Sequence, residues 1–574
     1  MQPSNLPVVA YFSMEIALDQ SIPTYSGGLG VLAGDTLRSA SDLAAPLIGI
    51  TLAHRKGYFR QRLDENGNQS ETAQEWSPER QLEAVDARAT VFIDGRSVIV
   101  RAWKFVINGA RGYKLPVYLL DTDVPENSPW DRHLTDSLYG GDSYYRLCQE
   151  VILGIGGFEL LRKMGHNVHT YHMNEGHSAL LALQLLERTV GDRFGSELKD
   201  VDIELVRQRC VFTTHTPVPA GHDKFGWDMV VQVLGEEKAE LLKEAHCCQE
   251  NMLNMTFLAL RFSRYVNGVA MKHGEVSRGM FPRYPIAAIT NGVHAMTWTA
   301  PALRELFDKH LPGWRYDNNY LRYAISISTD EIRQAHLAAK RALFQAVKQQ
   351  RGADFDENMF TIGFARRAST YKRADLLVSN PERLASIAHN VGPIQIIYAG
   401  KAHPHDEGGK ELIRRVHRAG RALGSTVKLV YVENYDMNWG LLITSGVDVW
   451  LNTPMRPQEA SGTSGMKAAM NGVPSLSVLD GWWIEGHIED VTGWSIEDAP
   501  TPEDNATEVA SLYDKLERVV LPKFYGHPEE YARVMRWSIA LNGAFFNTQR
   551  MVQQYIGNAY LPGTRTPQPA FVGV

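Results

Sequence analysis

The chain has 574 residues, 44% of them apolar and 22% charged, with a formal net charge of −6 at pH 7. That length exceeds what one hydrophobic core organises, so two or more domains are expected. The composition is that of an ordinary globular protein, and the acidic balance gives no reason to expect nucleic acid or a membrane as partner.

The N-terminal stretch MQPSNLPVVAYFSMEIALDQ lacks a basic leader and carries Glu15 and Asp19 in its apolar part, which argues against a secretion signal. No uninterrupted apolar run is long enough to span a bilayer. Cys148, Cys210, Cys247 and Cys248 make no disulfide framework, and the expected compartment is the cytoplasm.

Residues 8–12, VVAYF, predict a buried strand, and Gly27, Gly28 and Gly30 predict a turn that opens a helix through Leu32, Leu37 and Leu43. Strand, glycine loop and helix make the opening of a doubly wound α/β domain, with the loop set to meet an anion. Such a glycine cluster is usually a plain turn, and its place at the first strand is what gives it weight. PLIGITLAH predicts a second strand, and residues 60–95 alternate charged and apolar positions as surface hairpins do. In the run that begins at Leu138, Gly154, Gly156 and Gly157 mimic a dinucleotide fingerprint. They sit within a helical pattern and follow no strand, so close helix packing is the reading.

His166, His169, His172 and His177 crowd into HNVHTYHMNEGHSALL, but the alternation of a strand sends them to opposite sides, so no metal is expected. The segment reads as a strand with Glu175 and His177 at its carboxyl end, where α/β sheets place ligands. CVFTTHTPVPAGHDKF has the same form with His215 just past the strand, and a ligand role and a satisfied core histidine are equally open. AAITNGVHAMTW brings Asn291 to a loop in the same way.

Residues 298–353 are helical and charged, as a connector between domains would be. Five strand-like runs then alternate with helices, which predicts a second parallel sheet. A helical region follows Pro522 and ends near Tyr555, and the Pro- and Gly-rich tail from Leu561 is expected to be mobile. In the first of these runs FARRASTYKR sets Arg366, Arg367, Lys372 and Arg373 just after a strand, where a phosphate needs neutralising.

Further on, residues 459–472, EASGTSGMKAAMNG, read as a tight loop ending in a helix N-terminus. Unpaired amides and the positive end of the helix dipole make an anion site there. Lys467 lies in the same turn, and an amine beside a phosphate-binding helix end is what pyridoxal 5′-phosphate requires. A solvated surface lysine is the commoner case, but the apolar VPSLSVL run that follows argues for a buried turn.

EASGTSGMK, FARRASTYKR, SGGLG, MNEGHS, TTHTPVP and ITNGV occur in the order found in the α-glucan (glycogen, starch, maltodextrin) phosphorylases, and over residues 11–486 the chain resembles the short prokaryotic form of that family. The resemblance implies a GT-B glycosyltransferase fold: two Rossmann-like domains, here 1–293 and 294–560 before the tail 561–574, with the active site in the cleft between them. It implies retaining phosphorolysis of terminal α-1,4-linked glucose by inorganic phosphate, giving α-D-glucose 1-phosphate. Lys467 would hold pyridoxal 5′-phosphate as a Schiff base, with Thr463, Ser464 and Arg366 around its phosphate and Tyr435 near its ring. Arg367, Lys372 and Gly28 would hold substrate phosphate. His215, Asn291, Tyr371, Glu459, Ser461 and Gly462 would meet the glucosyl unit, with Glu15 and His177 lining the cleft.

The oligomeric state is left open, a homo-oligomer included. Ser369-Thr370, Asp436, Ala17 and Gly465 depart from the family pattern. A nucleotide-sugar glucan synthase of the same fold and a catalytically silent glucan-binding protein are the rival readings. The first would need no amine at Lys467, and the second would release no sugar phosphate.

Overall fold

In a computed structural model of the protein, residues 7–191, 198–497 and 505–566 are described. The chain divides into two compact units: Met1–Phe59, Ala73–Thr290 and Met551–Val574 form the first, and Arg60–Thr72 with Asn291–Arg550 form the second. The sequence predicts two consecutive blocks, and the division departs from that chiefly in two segments and, by a few residues, at the boundary.

Side-chain chemistry accounts for both segments. The hairpin of Arg60–Leu63 and Gln69–Thr72 is tied to the second unit, where Gln61 Nε2 donates to Gly400 O at 2.9 Å and Gln69 Nε2 to Ala402 O at 2.9 Å. The C-terminal helix Thr548–Tyr555 instead sends Met551, Val552 and Tyr555 into a core of the first unit beside Tyr11, Val211 and Tyr265. Asn291, expected in the first block, belongs to the second unit.

In the first unit nine strands among the described residues form one sheet. They are β1 (Val9–Ser13), β2 (Leu47–Leu52), β3 (Glu83–Ile93), β4 (Arg96–Asn108), β5 (Lys114–Asp121), β6 (Thr170–Asn174), β7 (Cys210–Thr213), β8 (Tyr265–Gly268) and β9 (Ala287–Ala288). Their order is β9-β8-β7-β6-β1-β2-β5-β4-β3. All pairs are parallel except β3 with β4 and β4 with β5, so the expected surface hairpins are in part an antiparallel extension of the main sheet.

A strand covered on both faces must be apolar throughout, and β1 is buried along its whole length. Ala10 and Phe12 enter one core and Val9 and Tyr11 the other, the period of two that a strand imposes. The glycines of the helical run 143–163 serve packing. A β-carbon at Gly154 would lie 2.6 Å from Leu181 N, and one at Gly157 would lie 2.7 Å from Phe12 Cε1.

The second unit holds a six-stranded parallel sheet among the described residues: β10 (Phe360–Ala365), β11 (Ile394–Ala399), β12 (Val427–Val432), β13 (Val449–Asn452), β14 (Ser475–Val478) and β15 (Gly493–Ile496), in the order β12-β11-β10-β13-β14-β15. The sixth strand, GWSI, is too short to stand out in the sequence. The helix Thr329–Arg351, expected as a connector, belongs to this unit: Leu343, Phe344 and Val347 pack with Ile397 and Trp450.

No described helix is long and apolar enough to cross a membrane. Of the tail, residues 561–566 are described and 567–574 lie outside the described residues. The described part is held by Arg264, whose Nη1 donates to Thr564 O at 3.0 Å and Thr564 Oγ1 at 2.7 Å, and by Thr566 Oγ1, which accepts from Val266 N at 2.7 Å. Arg264 also donates to Gln208 O and Ala559 O, so its removal strands several buried acceptors. Arg264→Ala is expected to cost about 3 kcal/mol of stability in denaturant unfolding and to quicken proteolysis at the C-terminus.

Candidate functional site

In the second unit the predicted residues gather at the carboxyl ends of parallel strands, where loops are free to carry side chains inward. Arg366 follows β10, Tyr371 and Lys372 lie in the short turn Thr370–Lys372, and Glu459, Ser461 and Gly462 follow β13; Asp480, which was not predicted, follows β14 in the same way. Glu459 Oε2 accepts from Arg366 Nη2 at 2.7 Å and from Lys372 Nζ at 2.5 Å. All three side chains are buried. Burial alone would raise the Glu459 pKa, but Arg366 and Lys372 outweigh it and hold the carboxyl down at about 2. Two cations therefore converge on a single carboxylate oxygen.

The four-cation cluster does not act as one. Arg367 is exposed, whereas Arg373 is buried, pairs with Glu508 and donates to Thr453 O at 2.9 Å and Pro454 O at 2.8 Å. Arg373 holds loops together, and Arg366 and Lys372 are the pair that share Glu459.

The helix Thr463–Met470, α2 with Gly28–Asp42 as α1, starts at Gly462, whose left-handed conformation (φ +86°) suits glycine. No side chain caps its first turn. The hydroxyls of Ser461 and Ser464 are buried without a hydrogen-bond partner, and Ser464 with the open first-turn amides forms a donor set that fits a phosphate group.

One turn on, Lys467 is buried and its Nζ lies 3.7 Å from the ring centroid of Trp298, a cation–π distance. Asn471 fixes that arrangement, since its Nδ2 donates to Trp298 O at 2.6 Å and to Lys467 O at 2.9 Å. A β-carbon at Gly440 would lie 3.1 Å from Tyr435 OH and 3.2 Å from Trp298 Cζ3, so Tyr435 and Trp298 meet at one spot. The aromatic walls, the buried amine and the phosphate-type donor set together suit pyridoxal 5′-phosphate. Asn291 is buried, and its Oδ1 has no hydrogen-bond partner.

Two of the departures from the family pattern have local reasons. Asp436 caps the helix Met437–Gly446, its Oδ1 accepting from Trp439 N at 2.9 Å. Ala17 is fully buried and its N donates to Gly30 O at 2.9 Å, tying it to the glycine loop. Nothing in the structure explains Ser369-Thr370.

In the first unit Glu15 follows β1 and holds the glycine loop. Its Oε2 accepts from Ser26 N at 2.5 Å and Gly27 N at 3.2 Å, and its Oε1 accepts from Tyr139 OH at 3.0 Å. Gly28 opens the fifteen-residue helix α1, which no side chain caps, and a β-carbon at Gly27 or Gly28 would meet only open space.

His215 Nε2 pairs with Asn174 Oδ1 at 2.7 Å, while Asn174 Nδ2 donates to Ser13 Oγ at 3.1 Å. That chain makes Nε2 the protonated nitrogen and leaves Nδ1 as an acceptor. Burial lowers the His215 pKa to about 3. Glu175 accepts from His215 N at 2.7 Å from a backbone at φ +74°, strain that marks this loop. His177 Nε2 lies 3.2 Å from Asp223 Oδ2, and its buried Nδ1 has no hydrogen-bond partner. Burial works to raise the Asp223 pKa, but His177 and Arg146 hold it well below the usual carboxylate range.

The crowded histidines are dispersed as the strand pattern predicts: His172 bonds Tyr560 OH and Thr213 Oγ1, and His166 bonds Tyr118 OH. Among the described residues no group of three or more His, Cys, Asp or Glu could hold a metal.

Sequence reasoning missed Asp480, Asp223, Tyr139 and Trp298. The rule that selected the other strand ends would have found Asp480, whose Oδ2 accepts from Glu459 N at 2.9 Å and whose pKa burial raises to about 6. Nothing local marks Trp298.

Burial also lowers His54 and His273 to about 4 and His172 to about 3. These groups and His215 are neutral when folded and take a proton near pH 6.5 when unfolded, so the stability they contribute is complete above ~6.5 and lost as pH falls below it. The thermal midpoint is expected to drop steadily from about pH 6.5 to pH 5. A midpoint unchanged over that interval would contradict the burial of these rings.

The profile of the carbohydrate phosphorylase family matches residues 229–495. A maltodextrin phosphorylase of Thermococcus litoralis is 40% identical over 96% of this chain and 70% of its own length. Glycogen phosphorylases of Mycobacterium tuberculosis and Aquifex aeolicus are 37% and 33% identical, over 97% and 96% of this chain and 71% and 86% of their own lengths. Identity at this level along nearly the whole sequence, with an uncapped helix and a buried lysine at the family's lysine motif, shows that the chain belongs to the carbohydrate phosphorylase family.

Proposed function

We propose that this protein cleaves terminal α-1,4-linked glucose from glycogen, starch or maltodextrin with inorganic phosphate, with retention, to give α-D-glucose 1-phosphate. In this reading its two units are the Rossmann-like domains of a GT-B glycosyltransferase, and residues of both serve one reaction. All four cysteines are free, which suits a cytoplasmic enzyme. The observation that carries the reading is the buried Lys467 one turn into an uncapped helix whose first turn offers the buried, unpartnered hydroxyl of Ser464.

Lys467 would hold pyridoxal 5′-phosphate as a Schiff base in the pocket that Trp298 and Tyr435 wall, and Thr463, Ser464 and Arg366 would hold its phosphate end. When bound, that cofactor supplies a phosphate monoester whose second ionisation near ~6 suits proton exchange at neutral pH. Arg367, Lys372 and the amide of Gly28 bind inorganic phosphate, and the cations stabilise charge that develops on its oxygens during transfer. Glu459, held ionised by its cationic neighbours, accepts hydrogen bonds from sugar hydroxyls. Ser461, Gly462, Tyr371 and Asn291 add contacts to the same sugar.

From the first unit, His215 acts as a neutral imidazole. Its Nε2–H is engaged by Asn174, so Nδ1 is available to accept from a sugar hydroxyl. Glu15 and His177 line the sugar path, His177 oriented by Asp223. A site built from such donors and acceptors discriminates against analogues that leave its buried groups unpaired.

Release of glucose 1-phosphate from maltooligosaccharides should require both inorganic phosphate and the cofactor. Lys467→Ala is expected to abolish cofactor retention and turnover together, and full activity in that variant would refute the assignment. Lys372→Ala should keep the cofactor and lower kcat/KM for phosphate by about two to three orders of magnitude, as loss of a charge-stabilising donor does.

A further inference from the structure

The first turn of α2 is positioned by a tryptophan that no motif points to. Trp482 is 2% exposed, and its six-membered ring lies between two glycines. A β-carbon at Gly465 would be 2.7 Å from Cζ2, and one at Gly486 would be 2.6 Å from Cζ3. Neither glycine has the positive φ that would demand it for backbone reasons, so what each provides is room for the indole. The slot is closed by Phe546, whose ring meets the indole at 4.8 Å and 76°.

The backbone of the same segment grips the loop. Trp482 N donates to Ser461 O at 2.9 Å, Asp480 Oδ2 accepts from Glu459 N at 2.9 Å, and a β-carbon at Gly481 (φ +56°) would lie 2.5 Å from Ser461 O. Residues 480–482 thus hold the loop from below while the indole presses on the helix turn it leads into. Gly465, one of the departures from the family pattern, is the position at which a side chain would push the ring out.

Resting on the proposed function, we infer that Trp482 is a positioning residue for the phosphate end of the cofactor site, its indole setting the place of the Thr463–Ser464–Gly465 amides while Lys467, a turn further on, is fixed separately by Asn471. The two halves of the site are therefore separable. Pyridoxal, which lacks the phosphate, reports on the lysine half, and pyridoxal 5′-phosphate reports on both.

The test is titration of the cofactor-free full-length protein with each compound, followed by near-ultraviolet absorbance, with a thermal melt of each variant. Trp482→Ala is expected to weaken pyridoxal 5′-phosphate at least about tenfold, the scale of a lost hydrogen bond to a charged group, and to leave pyridoxal unchanged. Gly465→Ala should do the same by driving a methyl against the ring. Trp482→Phe, which removes the atoms facing that methyl, should restore phosphate-dependent affinity in the Gly465→Ala background.

Equal losses for both compounds, no loss in Trp482→Ala, or failure of the double variant to recover would overturn the inference and leave the proposed function standing. Wild-type protein that takes up neither compound would overturn the proposed function and this inference with it.

Discussion

Glu459 sets the constraint to which the second unit answers: one buried carboxylate oxygen shared by Arg366 and Lys372. Taking three charges out of water is costly, and a buried ion cluster is seldom the most stable way to fill a core. Apolar residues of similar volume would give a firmer loop. The cluster persists because every member is paired, and its pairing leaves two cations held close together with a single anion between them. A protein that must repeatedly bind phosphate can use that arrangement, since the cations are already in place before the ligand arrives.

The backbone makes the arrangement affordable. Parallel strands all end on one side, so Arg366, Lys372, Glu459 and Asp480, distant in sequence, come from loops that leave the same edge of one sheet. The left-handed glycine at 462 lets the loop turn directly into α2 without a capping side chain, so the first-turn amides stay open. In the first unit the same logic places Glu15, His177 and His215 after β1, β6 and β7. There Glu15 is committed to the glycine loop, and His215 is locked as a neutral ring by Asn174 and burial. Asp223, in the same unit, is paired with both His177 and Arg146.

Much of this was legible in the sequence, for identifiable reasons. Strands buried on both faces are continuous apolar runs, so β1, β2, β7 and β10 announce themselves, and the residue just past each one is a candidate by position alone. The glycines at 154 and 157 were separable from a nucleotide fingerprint because no strand precedes them, and the structure uses them for packing.

What could not be read depends on contacts far apart in the chain. Met551 and Tyr555 join the first unit because they complete a core seeded five hundred residues earlier, a pairing no local pattern encodes. Trp298 beneath Lys467 is likewise invisible, because a tryptophan near a helix start reads as ordinary core. Arg373 looks equivalent to Arg366 in FARRASTYKR, and only Glu508 reveals that it is a structural charge.

The proposed role of Lys467 as the covalent tether of a vitamin-derived phosphate ester can be decided by reducing the purified protein with borohydride and analysing its peptides by mass spectrometry. A phosphopyridoxyl group is expected on the peptide that contains Lys467, and on that residue alone; an unmodified Lys467, or the group on a different lysine, would rule the tether out.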